Sequence, residues 1–340
     1  MDRYSFSKLI ALVAGILCVI LAVQHNKSSS YFITDNIYGT TWSITSDKYI
    51  NKSEIKDILN RVDLIASNYK ENSLINTLNK ERNYLHKLEN EPGLCSMLNM
   101  ANYIESRISF YRIGLGHISA NNGFAPVFKE MPKSYNDSDI GNWFFELISN
   151  DECNVLIGNN SWLDLSSIAK GYAIDMINDF LKDHDNYLID IGGELSVKGS
   201  NKGELWNIGL QDPKFISNKP IYIISTNNWY SIATSGEYRN YKIKDNKKIS
   251  HTINPKSLNS IENNLLSVTV INDNDIPITA FADALATAFN AMGYKSAYDY
   301  ANKSDIAALF VVEEEGEVNI IKTEKWLKKN QNLSSQFDQS

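Results

Sequence analysis

Apolar side chains recur at Ile55, Ile58, Leu59, Val62, Ile65 and Ala66, the spacing of one helical face, and Asn51 with Glu54 ahead of them has the spacing of a capping pair. The same period returns at Leu94, Met97, Leu98, Ala101, Ile104 and Ile108, which predicts a helix over residues 92–111. It returns again at Tyr172, Ala173, Met176, Ile177, Phe180 and Leu181, predicting a helix that Ser166 and Ser167 can cap and that runs to His184. Alternation of period two marks residues 31–44, broken at Gly39, and 187–199, broken at Gly192 and Gly193, as pairs of strands. Shorter runs at 162–165, 206–210, 221–224, 230–234 and 266–271 predict further strands, and Pro255 stops a short extended piece at 250–257. Towards the C-terminus, 279–293 reads as a helix stopped by Gly293, 295–302 as another, and 306–312 with 317–322 as a hairpin turned at Gly316. Residues 114–123, glycine-rich and polar, fit neither period and read as a loop; 129–142 read as a polar connection. Strands and helices mixed without regular alternation, and without internal repeats, imply an α+β fold.

Composition narrows the class. A chain of 340 residues with 43% apolar content can bury a large core, and a net charge of −7 argues against a nucleic-acid partner. The dense cationic run Lys242, Lys244, Lys247 and Lys248 reads as a solvated hairpin or loop just ahead of His251. At the start of the chain, Arg3 and Lys8 precede an unbroken apolar run at 9–23, shorter than the roughly 20 residues of a spanning helix. With no small-x-small cleavage site near Ala22, residues 1–27 are expected to be an uncleaved membrane anchor with the remainder exported to the periplasmic or extracytoplasmic side. The body is then expected over 28–325 and a disordered tail over 326–340. Cys18 lies in the apolar run; Cys95 and Cys153 either pair in an oxidising compartment or stay free, and three cysteines are too few for a Cys-rich metal site.

Three places can carry chemistry. A strand feeding a helix start with Lys170 in its first turn is a place to hold an anion, because the first amides lack intrahelical partners; a plain buried strand-turn-helix reads the same way. Asp283 and Thr287, four residues apart, share one helix face and offer oxygen ligands suited to Mg²⁺, although Asp283 equally fits a solvated position in an alanine-rich helix. His251, beside small and polar residues, is of the residue type that can take a proton from a hydroxyl, or is a hydrogen-bonded structural histidine. A cation, a helix-held anion and a base together suggest chemistry at a phosphate or pyrophosphate. Neither a P-loop nor a Rossmann glycine motif is present, which argues against an ordinary NTPase or dehydrogenase.

Seven motifs in order carry a closer likeness: Tyr38-Gly-Thr-Thr-Trp42; Ser67-Asn-Tyr69 with Asn72-Ser73; Leu163-Asp-Leu-Ser-Ser-Ile-Ala-Lys-Gly-Tyr-Ala-Ile-Asp175; Ile189-Asp-Ile-Gly-Gly-Glu194; Ile232-Ala-Thr-Ser-Gly236; Ser250-His-Thr-Ile-Asn-Pro-Lys256; and Ala282-Asp-Ala-Leu-Ala-Thr287. Over residues 31–295 the chain resembles the ApbE family of FAD:protein FMN transferases. The resemblance implies a T-fold-like body, with FAD as substrate and Mg²⁺ held by Asp283, Thr287 and the backbone carbonyl of Ser167. It also implies that Asp164 and Lys170 contact FAD, and that Tyr38, Tyr69, His117, Ile118, Ser119 and Ile253 line the flavin nucleotide site, with His251 as base. The implied reaction transfers FMN to a Ser or Thr hydroxyl of an acceptor flavoprotein, of the redox-pump or electron-transfer subunit type, and releases AMP. The same site would serve an FAD pyrophosphatase giving FMN and AMP, and a flavin-binding protein without activity is the non-enzymatic alternative. The chain departs from the family pattern in Gly116-His-Ile-Ser-Ala-Asn-Asn-Gly-Phe-Ala125, where Ser119 stands in place of an acid, at Ser166-Ser167, where small pairs such as Gly-Gly are frequent, and at Asn254, where Asp is often found.

Overall fold

Tyr38 and Gly39, at φ 53° and 72°, turn strand β1 (Tyr31–Ile37) straight back onto β2 (Thr40–Ser46), which is the conformation a two-residue hairpin demands. In the computed structural model, residue 16 and residues 30–133, 145–149, 153–214, 219–236, 241–244 and 247–329 are described. Helix α1 (Lys52–Ala66) starts on Asn51, whose side chain accepts from the Ser53 amide at 3.0 Å. There follow α2 (Leu74–Lys80), β3 (Leu85–Lys87), α3 (Pro92–Glu105), α4 (Gly116–Asn121), β4 (Phe145–Ser149), β5 (Asn154–Ile157) and α5 (Ala169–Phe180). The remainder is β-rich: β6 (Tyr187–Ile191), β7 (Glu194–Lys198), β8 (Trp206–Leu210), β9 (Tyr222–Thr226), β10 (Tyr230–Gly236), β11 (Tyr241–Lys244), β12 (Lys247–Ser250) and β13 (Leu265–Asn272). Helices α6 (Thr279–Met292) and α7 (Tyr294–Lys303) then lead into the hairpin β14 (Ala307–Glu314) and β15 (Glu317–Lys322).

An eight-stranded antiparallel sheet in the order β1-β2-β6-β7-β10-β13-β14-β15 is the frame. Its central strands are buried on both faces, and successive residues serve different cores. In β14, Ala308, Phe310 and Val312 pack with helices α3 and α6, whereas Ala307, Leu309 and Val311 pack with the β8–β9 hairpin and Trp326. A third core joins α1 and α5 to β2 and β6 through Ile55, Leu59, Val62, Ile174 and Ile177. The α+β expectation therefore holds, with the long helices on one face of an antiparallel sheet and the β8–β9 hairpin and Trp326 on the other.

Four expectations need correction. Residues 162–165 form no strand: Trp162 makes a single bridge to Leu115, and the Leu163 backbone is claimed by the Asn79 side chain instead of a neighbouring strand. Helix α5 starts at Ala169 behind a turn, with Ile168 at its N-cap, so neither Ser166 nor Ser167 caps it. Residues 116–121, expected as loop, are helical. The ordered chain also runs past 325, because residues 324–329 are helical and Trp326 is 2% exposed in the core beside Tyr222. The rest of the expected tail and, apart from residue 16, the apolar run at 9–23 lie outside the described residues, among which no helix is long and apolar enough to cross a membrane. Cys95 and Cys153, left open above, are disulfide-bonded and tie α3 to the start of β5.

Candidate active site

A cleft of about 1180 Å³ opens where the α5 N-terminus, α6 and the loops after α1 and β12 converge. Tyr38, Tyr69, Ser119, Asp164, Ser167, Lys170, His251, Ile253, Asp283 and Thr287 all line it. His117 and Ile118 do not: each residue of a helix turns about 100° from the last, so α4 presents Ser119 to the cleft and buries those two side chains at 0% and 1% exposure. Burial, with the nearby Arg82 charge adding to it, holds the His117 imidazole down at about 4.

The polar wall is built from α5 and α6. Asp283 is buried, and its Oδ2 accepts from the Gly171 amide at 3.1 Å, one of the orphan donors at the start of α5. Burial pushes the Asp283 carboxyl well above the ordinary carboxylate range; Lys170 pulls it back and Glu194 pushes it further. Lys170 forms an ion pair with Glu194, which is itself buried at the start of β7. Gly192 and Gly193, both at positive φ, make the tight turn that places Glu194 there. Two buried carboxyl groups thus lie beside the Lys170 ammonium, and a cation bound next to Asp283 would offset the burial that disfavours its ionised form. Among the described residues no cluster of three His, Cys, Asp or Glu side chains is set to hold a metal. A site here would consist of the Asp283 carboxylate with the neutral oxygens of Thr287 and Ser167, a hard-oxygen set that fits Mg²⁺ and not Zn²⁺. Thr287 Oγ1 lies 3.3 Å from Ser235 Oγ, and the Ser167 hydroxyl lies 2.9 Å from the buried Tyr111 hydroxyl, so both are held in place.

Opposite this wall the surface is aromatic. The Tyr69 hydroxyl donates to the Phe124 carbonyl at 2.6 Å, Lys242 donates to the Gly123 carbonyl, and the rings of Phe124 and His251 meet edge-on at 6.1 Å. The Tyr38 hydroxyl donates to the Leu59 carbonyl at 2.6 Å, and burial raises its pKa far above that of a free phenol, so it is a neutral donor. Asp164 Oδ1 accepts from the Ser166 amide at 2.8 Å and holds the turn before α5.

Sequence reasoning assigned no role to Glu194, Tyr111, Asn76 or Asn79. Asn76 and Asn79 sit on α2, fully buried. The Asn76 amide donates to the carbonyls of Ser67, Asn68 and Lys70 at 3.2, 3.2 and 3.0 Å, and so shapes the loop that carries Tyr69. Asn79 clamps Leu163, next to Asp164, donating to its carbonyl at 2.8 Å and accepting from its amide at 2.7 Å. The available signal was Ser73 followed by Asn76 at capping spacing, and Ser73 Oγ does accept from the Asn76 amide.

A helix N-terminus, a lysine and buried carboxyl groups converge in one large cleft of this α+β fold, an arrangement with the chemistry to take an anionic ligand. The model of the ApbE family matches residues 38–310, and the chain belongs to that family. A relative from Vibrio cholerae named FAD:protein FMN transferase is 36% identical over 154 residues, covering 44% of this chain and 45% of that protein, so this match spans about half of the relative's length. One of the same name from Haemophilus influenzae is 26% identical over 325 residues, 88% of this chain and 93% of that one. Among solved structures, the flavin transferase ApbE from Vibrio cholerae aligns with a TM-score of 0.73 at 22% identity over 88% of this chain and 99% of its own. The apo flavinyl transferase ApbE of Pseudomonas stutzeri aligns with a TM-score of 0.73 at 24% identity over 88% and 96%. These likenesses show the fold.

Proposed function

We propose that this chain transfers FMN from FAD to a Ser or Thr hydroxyl of an acceptor flavoprotein and releases AMP. The observation that carries the reading is the single cleft on which Lys170, Asp283, Thr287 and His251, far apart in sequence, meet the aromatic residues Tyr38 and Tyr69. The names of the relatives, FAD:protein FMN transferase, support the same chemistry.

In this reading Tyr38, Tyr69, Ser119 and Ile253 take the flavin nucleotide, and Asp164 and Lys170 hold the polar part of FAD. Asp283, Thr287 and the Ser167 carbonyl would hold Mg²⁺, which would supply positive charge to offset that of the pyrophosphate. His251 accepts the proton of the acceptor hydroxyl as that oxygen bonds to the FMN-side phosphorus and the bond to the AMP oxygen breaks. The proton passes from the imidazolium to solvent, and FMN remains in a phosphoester link. The α5 amides and Lys170 favour the anionic substrate at their end of the cleft. Export fits the Cys95–Cys153 disulfide, which persists in an oxidising compartment. Residues 1–27 are proposed as the anchor that keeps the domain on the extracytoplasmic side.

Incubation with FAD, Mg²⁺ and an acceptor domain tests the proposal. It predicts flavin fluorescence on the denatured acceptor band with AMP released in equal amount. Free FMN alone would establish the pyrophosphatase instead, and unchanged FAD would leave a flavin-binding protein.

A further inference from the structure

Asp175 takes no part in the chemistry above, yet both of its oxygens are committed. Oδ1 accepts from the Thr279 amide at 2.6 Å and Oδ2 from the Ala280 amide at 2.9 Å. These are the first two amides of α6, whose own N-cap residue, Ile278, makes no side-chain cap hydrogen bond. The cap of α6 is therefore supplied by a side chain from the middle of α5. The favour is returned one turn along, where the Gly171 amide at the start of α5 donates to Asp283 Oδ2 at 3.1 Å. A Cβ at Gly171 would lie 2.6 Å from the Ala280 nitrogen and Cα and from the Thr279 oxygen, so the two backbones touch at this foot. The Thr279 hydroxyl is also pinned, 2.8 Å from Ser231 Oγ on β10.

Asp283 and Thr287 follow Thr279 at successive four-residue steps, on the same face and about 6 Å and 12 Å further along the axis. A one-residue slip of α6 would swing Asp283 by about 100° out of the cleft. We propose that Asp175 is a positioning residue for the metal site: by holding the foot of α6 at two adjacent amides, it fixes the rotation and height at which Asp283 and Thr287 meet a divalent cation. This rests on the metal role proposed for Asp283.

The test is Mn²⁺ binding followed by electron paramagnetic resonance in the full chain, for the wild type, Asp175→Asn, Asp175→Ala and Asp283→Ala, with circular dichroism melts of each. Asparagine keeps one acceptor and turns an NH₂ towards the other amide. Asp175→Asn is expected to weaken Mn²⁺ binding roughly tenfold, in the range seen when groups that orient metal ligands are changed, and Asp175→Ala to weaken it at least as much. FAD turnover by Asp175→Asn should recover when Mg²⁺ is raised, because the ligands themselves remain. A folded Asp175→Asn protein with a lowered Tm but Mn²⁺ affinity within about twofold of wild type would overturn the inference, since Asp175 would then be a helix cap and nothing more. Should Asp175→Ala fail to fold, Asp175→Asn decides. Asp283→Ala separates the two readings: if it binds Mn²⁺ as wild type does, the metal role of Asp283 fails and the inference falls with it, whereas if it alone loses the ion, only the role of Asp175 fails.

Discussion

Asn79→Leu isolates the clamp beneath the cleft. Leucine keeps the branched outline of the asparagine side chain while lacking its polar atoms, so the substitution removes hydrogen bonds without opening a cavity. Both partners of the clamp, the Leu163 amide and carbonyl, are fully buried, and the replacement leaves each of them unsatisfied. At about 1–3 kcal/mol for each of the two orphaned buried groups, the loss should be about 2–6 kcal/mol. Urea denaturation followed by tryptophan fluorescence measures it as a fall in midpoint at constant slope. Asn79→Ala should lose less than Asn79→Leu, because the smaller side chain leaves room for a water to satisfy one of the two groups. A loss below about 0.5 kcal/mol for Asn79→Leu would refute the reasoning, since it would mean that the segment before Asp164 finds other partners at no cost.

Three further outcomes follow from particular contacts. Reducing the Cys95–Cys153 bond, or replacing both cysteines by serine, releases a loop of 58 residues and should cost about 4 kcal/mol of stability, read as a lower urea midpoint with dithiothreitol than without. His117 has a folded value of about 4, below its unfolded value, so its contribution is fully present above about pH 6.5 and is lost as pH falls through about 4; His117→Gln should therefore show a smaller Tm drop between about pH 7 and about pH 4.5 than wild type. His251→Ala should lower kcat by about 10²–10⁴ with little change in FAD affinity, measured by turnover and by flavin fluorescence quenching, whereas equal losses in both would make it a binding residue.

Long amphipathic segments were legible from the chain. The face of α1 follows Ile55, Ile58, Leu59 and Val62 as written, and the hairpins at Gly39 and Gly316 fall where positive φ is needed. Helix α2 was not legible, because two of its buried positions are the polar Asn76 and Asn79, which face backbone groups of other segments. On α5 the buried face is rotated from the expected one: Ile174 is buried, while Phe180 is 41% exposed. Strands β3, β4 and β5 left too weak an alternation to be seen in their short, polar surroundings. The cleft was partly legible for the same reason that it works. Asp283 and Thr287 sit one helical turn apart on α6, so local spacing reveals them. The Lys170–Glu194 pair and the Asp175 cap join residues brought together only by tertiary packing, and no local period encodes such contacts. His117 shows the converse, a histidine in a glycine-rich stretch that looks available but faces the core.

The central claim is that the pyrophosphate of FAD lies in this cleft between the Lys170–Asp283 wall and His251. A crystal soaked with FAD and Mn²⁺ tests it most directly, through the anomalous signal of the metal. The account predicts one anomalous peak within about 2.3 Å of an Asp283 oxygen, with Thr287 and the Ser167 carbonyl as its other protein ligands and FAD phosphate beside it. FAD bound elsewhere, or a metal peak away from Asp283, would contradict it.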